Sequence, residues 1–106
     1  MEINDLFWHD GNLVDINSNF NKKGKATTVL VVALYKDNQS IKRNLYQIEC
    51  QKSDKVIISF DAKELKDNLT AGNIDNSYLK KNTLSLYLFG GMIKIRAKKF
   101  NVVRIK

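Results

Sequence analysis

The chain has 106 residues, 43% hydrophobic and 27% charged, which suits one folded domain with its own core and excludes a disordered or fibrous protein. A single cysteine excludes an intramolecular disulfide, and the longest apolar run, Val29 to Tyr35, is too short to span a bilayer. The net charge of +7 is uneven: residues 1–75 hold ten basic and eleven acidic residues, whereas residues 76–106 hold eight basic and none acidic.

The N-terminal segment lacks the basic and apolar stretches of a secretory signal, so we expect a cytoplasmic protein. It contains two of the largest side chains, Phe7 and Trp8. These rings either close one end of the core, since aromatic side chains bury a large area, or leave Trp8 and His9 exposed as an interface anchor.

Alternating apolar and polar residues predict strands in the first half of the chain. A short strand over residues 13–16 is followed by a polar turn over 17–25. Residues 26–36 form the clearest strand, and their apolar residues on both faces indicate a central position in the fold. Two further alternating runs, 41–51 and 55–60, follow after short turns, so the three strands predict an antiparallel meander.

The middle of the chain contains the one helix signal. Asp61 and Glu64 form a partial capping box, and two leucines spaced four residues apart follow it. The helix is expected to end near Gly72, because glycine suits the residue after a helix. Residues 74–82 have weak periodicity and are predicted to be mostly loop.

The last third of the chain contains the clearest structural signal, which predicts a β-hairpin. Two alternating runs, 83–89 and 92–98, flank Gly90-Gly91, and glycine accepts the positive φ that two-residue hairpin turns require. If Phe89 pairs with Met92, one face of the hairpin is wholly apolar and the other is polar and basic. The pairs on that second face are Tyr87–Lys94, Ser85–Arg96 and Thr83–Lys98.

After Ala97 the alternation shifts by one residue, which predicts a bulge or bend at Lys98–Lys99. The total is six or seven strands and one short helix. We therefore predict an all-β fold, either an antiparallel β-sandwich or a small, partly open barrel, with residues 1–106 as a single domain.

No pattern of residues points to catalysis. His9 is the only histidine and Cys50 the only cysteine, and neither lies in a metal-ligand spacing or a nucleophile motif. Cys50 alternates with Ile48 and Tyr46, as a core residue would. We expect no metal, no cofactor and no enzymatic activity, and a hydrolase built on His9, Asp10 and Cys50 ranks last among the alternatives.

The segment Phe7–Ile16, with the sequence FWHDGNLVDI, resembles the opening of small bacterial proteins of the immunity type found in polymorphic toxin systems. Those proteins begin with an aromatic-His-Asp segment that leads into a β-strand. The resemblance implies a non-enzymatic, partner-binding β domain. It also implies that His9 and Asp10 fix the first turn by hydrogen bonding.

The uneven charge has three interpretations. Lysines can simply keep a sheet soluble, and an excess of Lys, Asn and Ile without Pro is what an AT-rich genome produces. A basic face otherwise indicates an anionic partner, and an acidic protein is our first hypothesis. Nucleic acid is the alternative, although the hairpin face offers one aromatic and the chain has only three arginines.

The exposed strand Phe100 to Ile105 also allows a homodimer, and we expect no membrane partner. Other cations surround the hairpin's basic face, including Lys80, Lys81 and Arg104. The candidate binding residues are Tyr87, Lys94, Arg96, Lys98, Trp8 and His9.

Overall fold

The computed structural model describes residues 1–23, 26–61 and 73–106, and the strands in these ranges form two antiparallel sheets of four. The eight strands are β1 (Asn12–Phe20), β2 (Ala26–Tyr35), β3 (Arg43–Ser53), β4 (Lys55–Phe60), β5 (Ile74–Lys80), β6 (Thr83–Leu88), β7 (Gly91–Arg96) and β8 (Lys99–Arg104). The first sheet has the order β1-β2-β3-β8 and the second β4-β7-β6-β5. The all-β prediction is confirmed, with two sheets rather than a closed barrel among the described strands, and with one or two more strands than predicted.

The two sheets are continuous at one corner. Here β3 passes into β4 through Asp54, and β7 passes into β8 through Ala97–Lys98. The Asp54 N–H donates to the Arg96 carbonyl at 3.0 Å, and the Lys98 N–H donates to the Gln51 carbonyl at 3.0 Å. The predicted bend near Lys98 is confirmed. The predicted meander is wrong at its third strand, because β4 leaves β3 and pairs with β7 in the other sheet.

The core lies between the sheets, at the inward-facing positions of each strand. β2 is central in the first sheet, as predicted, and its outward-facing residues are mostly half-buried. A fully buried Leu or Ile contributes roughly 1.5–3 kcal/mol, so this layer is the main source of stability. The apolar side chains with no exposed surface are Leu30, Val32, Leu34, Ile48, Cys50, Leu86, Ile93 and Ile95.

The predicted hairpin forms, but its predicted register is wrong. Leu88 pairs with Gly91, two positions earlier than predicted, so the turn consists of Phe89-Gly90. Because side chains alternate with a period of two, a shift of two leaves the apolar and basic faces as predicted. Gly91 is required inside β7 by close approach: a Cβ there would lie 2.2 Å from the Ser59 carbonyl oxygen.

Residues 74–82, predicted as loop, instead form β5 and its turn into β6. Lys81 and Asn82 make that two-residue turn with φ of 46° and 60°, the conformation that suits the twist of a hairpin. The predicted polar turn over 17–25 is likewise partly strand, since β1 continues to Phe20. Ser18 Oγ lies 2.8 Å from Thr28 Oγ1 across that pair. Cross-strand pairing outweighs the weak strand propensity of Asn and Ser in both segments.

The predicted helix over 61–72 lies, apart from Asp61, outside the described residues. Within the described ranges the helical structure is one short 3-10 turn, Ile3–Asp5. None of the helical structure described has the length and apolar character needed to cross a bilayer.

Candidate binding face

The outward-facing side of the second sheet carries the hairpin's polar residues together with those of both neighbouring strands. Cross-strand pairing arranges them in three rows of four, which together we call the basic face. It contains four cations and no carboxylate. The rows are Lys55–Arg96–Thr83–Lys80, Ile57–Lys94–Ser85–Tyr78 and Ser59–Met92–Tyr87–Asn76.

Two tyrosines meet on this face. The rings of Tyr78 and Tyr87 contact edge to face, with centroids 6.0 Å apart and planes at 75°. The Asn76 Nδ2 donates to the Tyr78 hydroxyl at 2.8 Å. Tyr78 is 56% exposed and Tyr87 37%. Sequence reasoning misses Tyr78, because its segment is predicted as loop, and the alternation of Tyr78 with Leu79 is too short to indicate a strand.

The cations of the basic face differ in their surroundings. Arg96 Nε lies 2.8 Å from Asp54 Oδ1, and this hydrogen bond, together with the charge of the carboxylate, raises the pKa of Arg96. Lys55 is directly opposite Arg96, so two like charges face each other across the β4–β7 pair. Among the residues that the structure describes, Lys94 forms no ion pair. An anionic partner would therefore find Lys94 available and Arg96 partly neutralised.

The face is concave on either side of Thr83. One open depression of about 290 Å³ lies against β4 and β7 and is lined by Lys55, Ile57, Lys94 and Arg96. A second, of about 420 Å³, lies over β5 and β6, with the two tyrosines and four polar or basic side chains at its wall. The row beside the corner therefore holds three cations, the middle row holds Lys94, and Tyr87 and Met92 lie in the row farthest from the corner.

Trp8 lies in the core and not at the surface. It is 9% exposed, and its indole Nε1–H donates to the Ile3 carbonyl at 3.2 Å. This agrees with the core interpretation for Trp8, whereas Phe7 is half-buried and lies outside the core cluster. Trp8 thus contributes no contact area to a binding surface.

His9 is exposed and makes local contacts. Its Nε2 lies 3.4 Å from Asp10 Oδ2, and its ring meets Phe7 edge to face at 6.3 Å. The Asp10 carbonyl accepts hydrogen bonds from Arg43 Nε and Nη2 at 3.2 and 2.9 Å. These contacts hold the turn that precedes β1, and the next residue, Gly11, accepts a hydrogen bond at its carbonyl from the Ile74 N–H of β5 at 2.8 Å.

Cys50 is buried in the first sheet, and its thiol does not ionise readily. Burial, and secondarily the charge of Glu49, raises the pKa of the Cys50 thiol to about 12, so the thiol is protonated at neutral pH. The depression beside His9 is lined by residues of the N-terminal segment and the β2–β3 turn, without Cys50. No cluster of three or more His, Cys, Asp or Glu within the described ranges could hold a metal ion.

The structure therefore brings three of the six predicted site residues together: Tyr87, Lys94 and Arg96. Lys98 belongs to the corner between the sheets and does not pair with Thr83, which is opposite Arg96. Comparisons of the chain with models of protein families, with curated proteins and with solved structures found no match.

Proposed function

We propose that the protein is a non-enzymatic binding module whose basic face docks on an acidic surface of a partner protein. The observation that carries this proposal is the placement of four cations, without a carboxylate, beside an exposed Tyr78–Tyr87 pair. Protein interfaces are enriched in Tyr, Met and Arg, and Met92 is directly opposite Tyr87, with Arg96 on the same face. Complementary charge would steer the partner and set the register of the complex.

The resemblance of Phe7–Ile16 to immunity-type proteins supports a specific form of this proposal, in which the partner is a toxin with an acidic surface. Such a protein works inside the cell that makes it, and we propose a cytoplasmic location for this one. A lone, reduced cysteine such as Cys50 suits that reducing compartment.

Site-specific photo-cross-linking tests the proposal while the partner is unidentified. A photoreactive phenylalanine analogue replaces Tyr87 in one variant and Thr27, which is exposed on the outer side of the first sheet, in a matched control. We expect one acidic protein to be cross-linked from position 87 and not from position 27. Cross-linking from Thr27 alone, or equally from both positions, would contradict the proposed face.

Single-stranded nucleic acid is the second candidate, favoured by Tyr78, which adds a second aromatic to the one predicted on this face. Stacking platforms pair aromatic rings with cations in this way. One feature weighs against it: the rings stand at 75°, so they cannot both lie flat beneath stacked bases.

Titration with a fluorescent oligonucleotide separates the two candidates. The nucleic-acid candidate predicts an affinity that falls steeply with salt and is lost in the K94E/R96E variant. The acidic-protein proposal predicts instead that K94E weakens any oligonucleotide binding at low ionic strength no more than the matched variant K42E does, because the basic face is not its site.

A further inference from the structure

A second cationic site lies at the corner where the two sheets join. A cleft of about 260 Å³, which we call the corner cleft, opens here. Four cations from three separate chain segments converge on it, with one carboxylate and one amide. These lining residues are Lys52, Lys81, Arg96, Lys98, Asp54 and Asn82.

The corner cleft is preformed by backbone hydrogen bonds. In addition to the two bonds that tie the crossing strands, the Ala97 N–H donates to the Asn82 carbonyl at 3.0 Å, so the β5–β6 turn is anchored to the same corner. The wall is therefore rigid, although the lysine side chains on it are exposed. A ligand would find the cations already grouped around one space.

Two of the four cations are held in an uncommon backbone conformation. Lys52 has φ 53° and Lys81 has φ 46°, a region that non-glycine residues other than Asn and Asp rarely adopt. The two-residue β5–β6 turn imposes this conformation on Lys81, and the bulge in β3 opposite Ala26–Thr28 imposes it on Lys52, so local strand pairing fixes the backbone at both positions. In this protein both of them border the same cleft.

The charges of the corner cleft are unbalanced. The one carboxylate among its lining residues, Asp54, forms an ion pair with Arg96, and the other three cations of the lining are lysines. A dianion would relieve the repulsion between these like charges, and a phosphate group offers several acceptor oxygens for cations that approach from different directions. A carboxylate brings half the charge and only two oxygens.

We propose that the corner cleft binds a phosphate group, either as free phosphate or as part of a nucleotide. This inference does not rest on the proposed function, because it concerns a small ligand and does not involve the tyrosine pair. A negative cross-linking experiment would not affect the phosphate proposal, and a failure to bind phosphate would not affect the partner-binding proposal.

Heteronuclear NMR titration at constant ionic strength tests this inference, with inorganic phosphate and adenosine monophosphate as probes and chloride as the balancing salt. We expect saturable shifts of the backbone amides of Lys52, Lys81, Asn82 and Lys98. The K81Q/K98Q variant should bind either probe about tenfold more weakly. Equal affinity for both probes would identify the phosphate group alone as the ligand, and tighter binding of the nucleotide would identify a nucleotide site.

A matched variant, K36Q/K42Q, makes the same charge change at the β2–β3 turn and should bind as the wild type does. The dispersion of amide signals shows directly whether each variant is folded. Shifts that grow linearly without saturation, or an equal loss of affinity in the two double variants, would overturn the proposal and indicate only non-specific attraction to a cationic protein.

Discussion

The ring of Tyr78 on β5 contacts the ring of Tyr87 on β6 edge to face, with 6.0 Å between their centroids. This contact joins a strand outside the predicted hairpin to the hairpin itself. It also places the largest exposed aromatic area of the basic face beside Lys94. The tyrosine pair therefore has two consequences, one for stability and one for binding.

The tyrosine pair should be energetically coupled. Edge-to-face aromatic pairs are worth about 0.5–1.5 kcal/mol beyond their buried area, and partial exposure favours the lower part of that range. Urea unfolding of Tyr78→Ala, Tyr87→Ala and the double variant gives the coupling from a double-mutant cycle. A coupling within experimental error of zero would mean that the two rings are not in contact in solution.

Gly91→Ala should be strongly destabilising, by about 3 kcal/mol, because the added methyl group meets backbone that cannot move aside. The new Cβ would lie 2.2 Å from the Ser59 carbonyl oxygen and 2.5 Å from Phe60 Cδ1. Phe89→Ala, in the exposed turn of the same hairpin, serves as the control and should cost less than about 1 kcal/mol. Equal unfolding free energies for these two variants would contradict the observed register.

Asn82→Gly should stabilise the protein by about 0.5–1 kcal/mol, since glycine is preferred at the second position of this hairpin turn. Asn101→Gly makes the same change inside β8, where φ is not positive, and should destabilise by about the same amount. Thermal unfolding measures both variants. A destabilisation by Asn82→Gly equal to that of the control would argue against the positive φ at Asn82.

Cys50 should make stability depend on alkaline pH. Burial raises the pKa of the folded-state thiol from 9.0 to about 12, so the unfolded thiol ionises first. The contribution of Cys50 to the unfolding free energy is constant below the pKa of the thiol in the unfolded chain. It is lost as the pH rises from 9.0 toward about 12. In this window the unfolding free energy of the wild type should fall more steeply than that of Cys50→Ala, by up to about 1.4 kcal/mol per pH unit.

A thiol reagent gives an independent measurement of the same property. Cys50 should remain unmodified in the native protein at neutral pH and react fully in denaturant, since the thiolate is the nucleophile. Rapid native-state labelling would contradict the buried position of Cys50.

The sequence alone predicts the features that neighbouring residues determine, and it fails where a contact with a distant strand determines the structure. Alternation with a period of two correctly assigns Leu86 and Ile95 to the core and Lys94 to the outer face. The same period cannot choose between registers that differ by two residues. In the observed register Gly91 lies against the Ser59 carbonyl of β4, a contact that no local pattern reveals. For this reason the sequence pattern assigns Gly91 to the turn, whereas it lies in β7.

The residues of the candidate site likewise divide into those that a local pattern predicts and those that depend on distant strands. Tyr87 and Lys94 follow from the hairpin pattern alone. Tyr78 does not, because residues 74–80 form a strand only through pairing with β6, and their composition favours loop. The corner cleft depends on two strand crossings, at Asp54 and at Ala97–Lys98, and no local pattern reveals that these crossings are adjacent.

Whether the basic face is the binding surface is decided by the affinity of the protein cross-linked from position 87 for two charge-reversal variants. Lys94→Glu lies on the basic face, and Lys42→Glu makes the same change at the β2–β3 turn. Our account predicts that Lys94→Glu weakens binding about tenfold or more, mainly at low salt, whereas Lys42→Glu leaves it within about twofold of the wild type. Equal effects of the two variants, or an unchanged affinity in Lys94→Glu, would contradict the claim that the basic face is the binding surface.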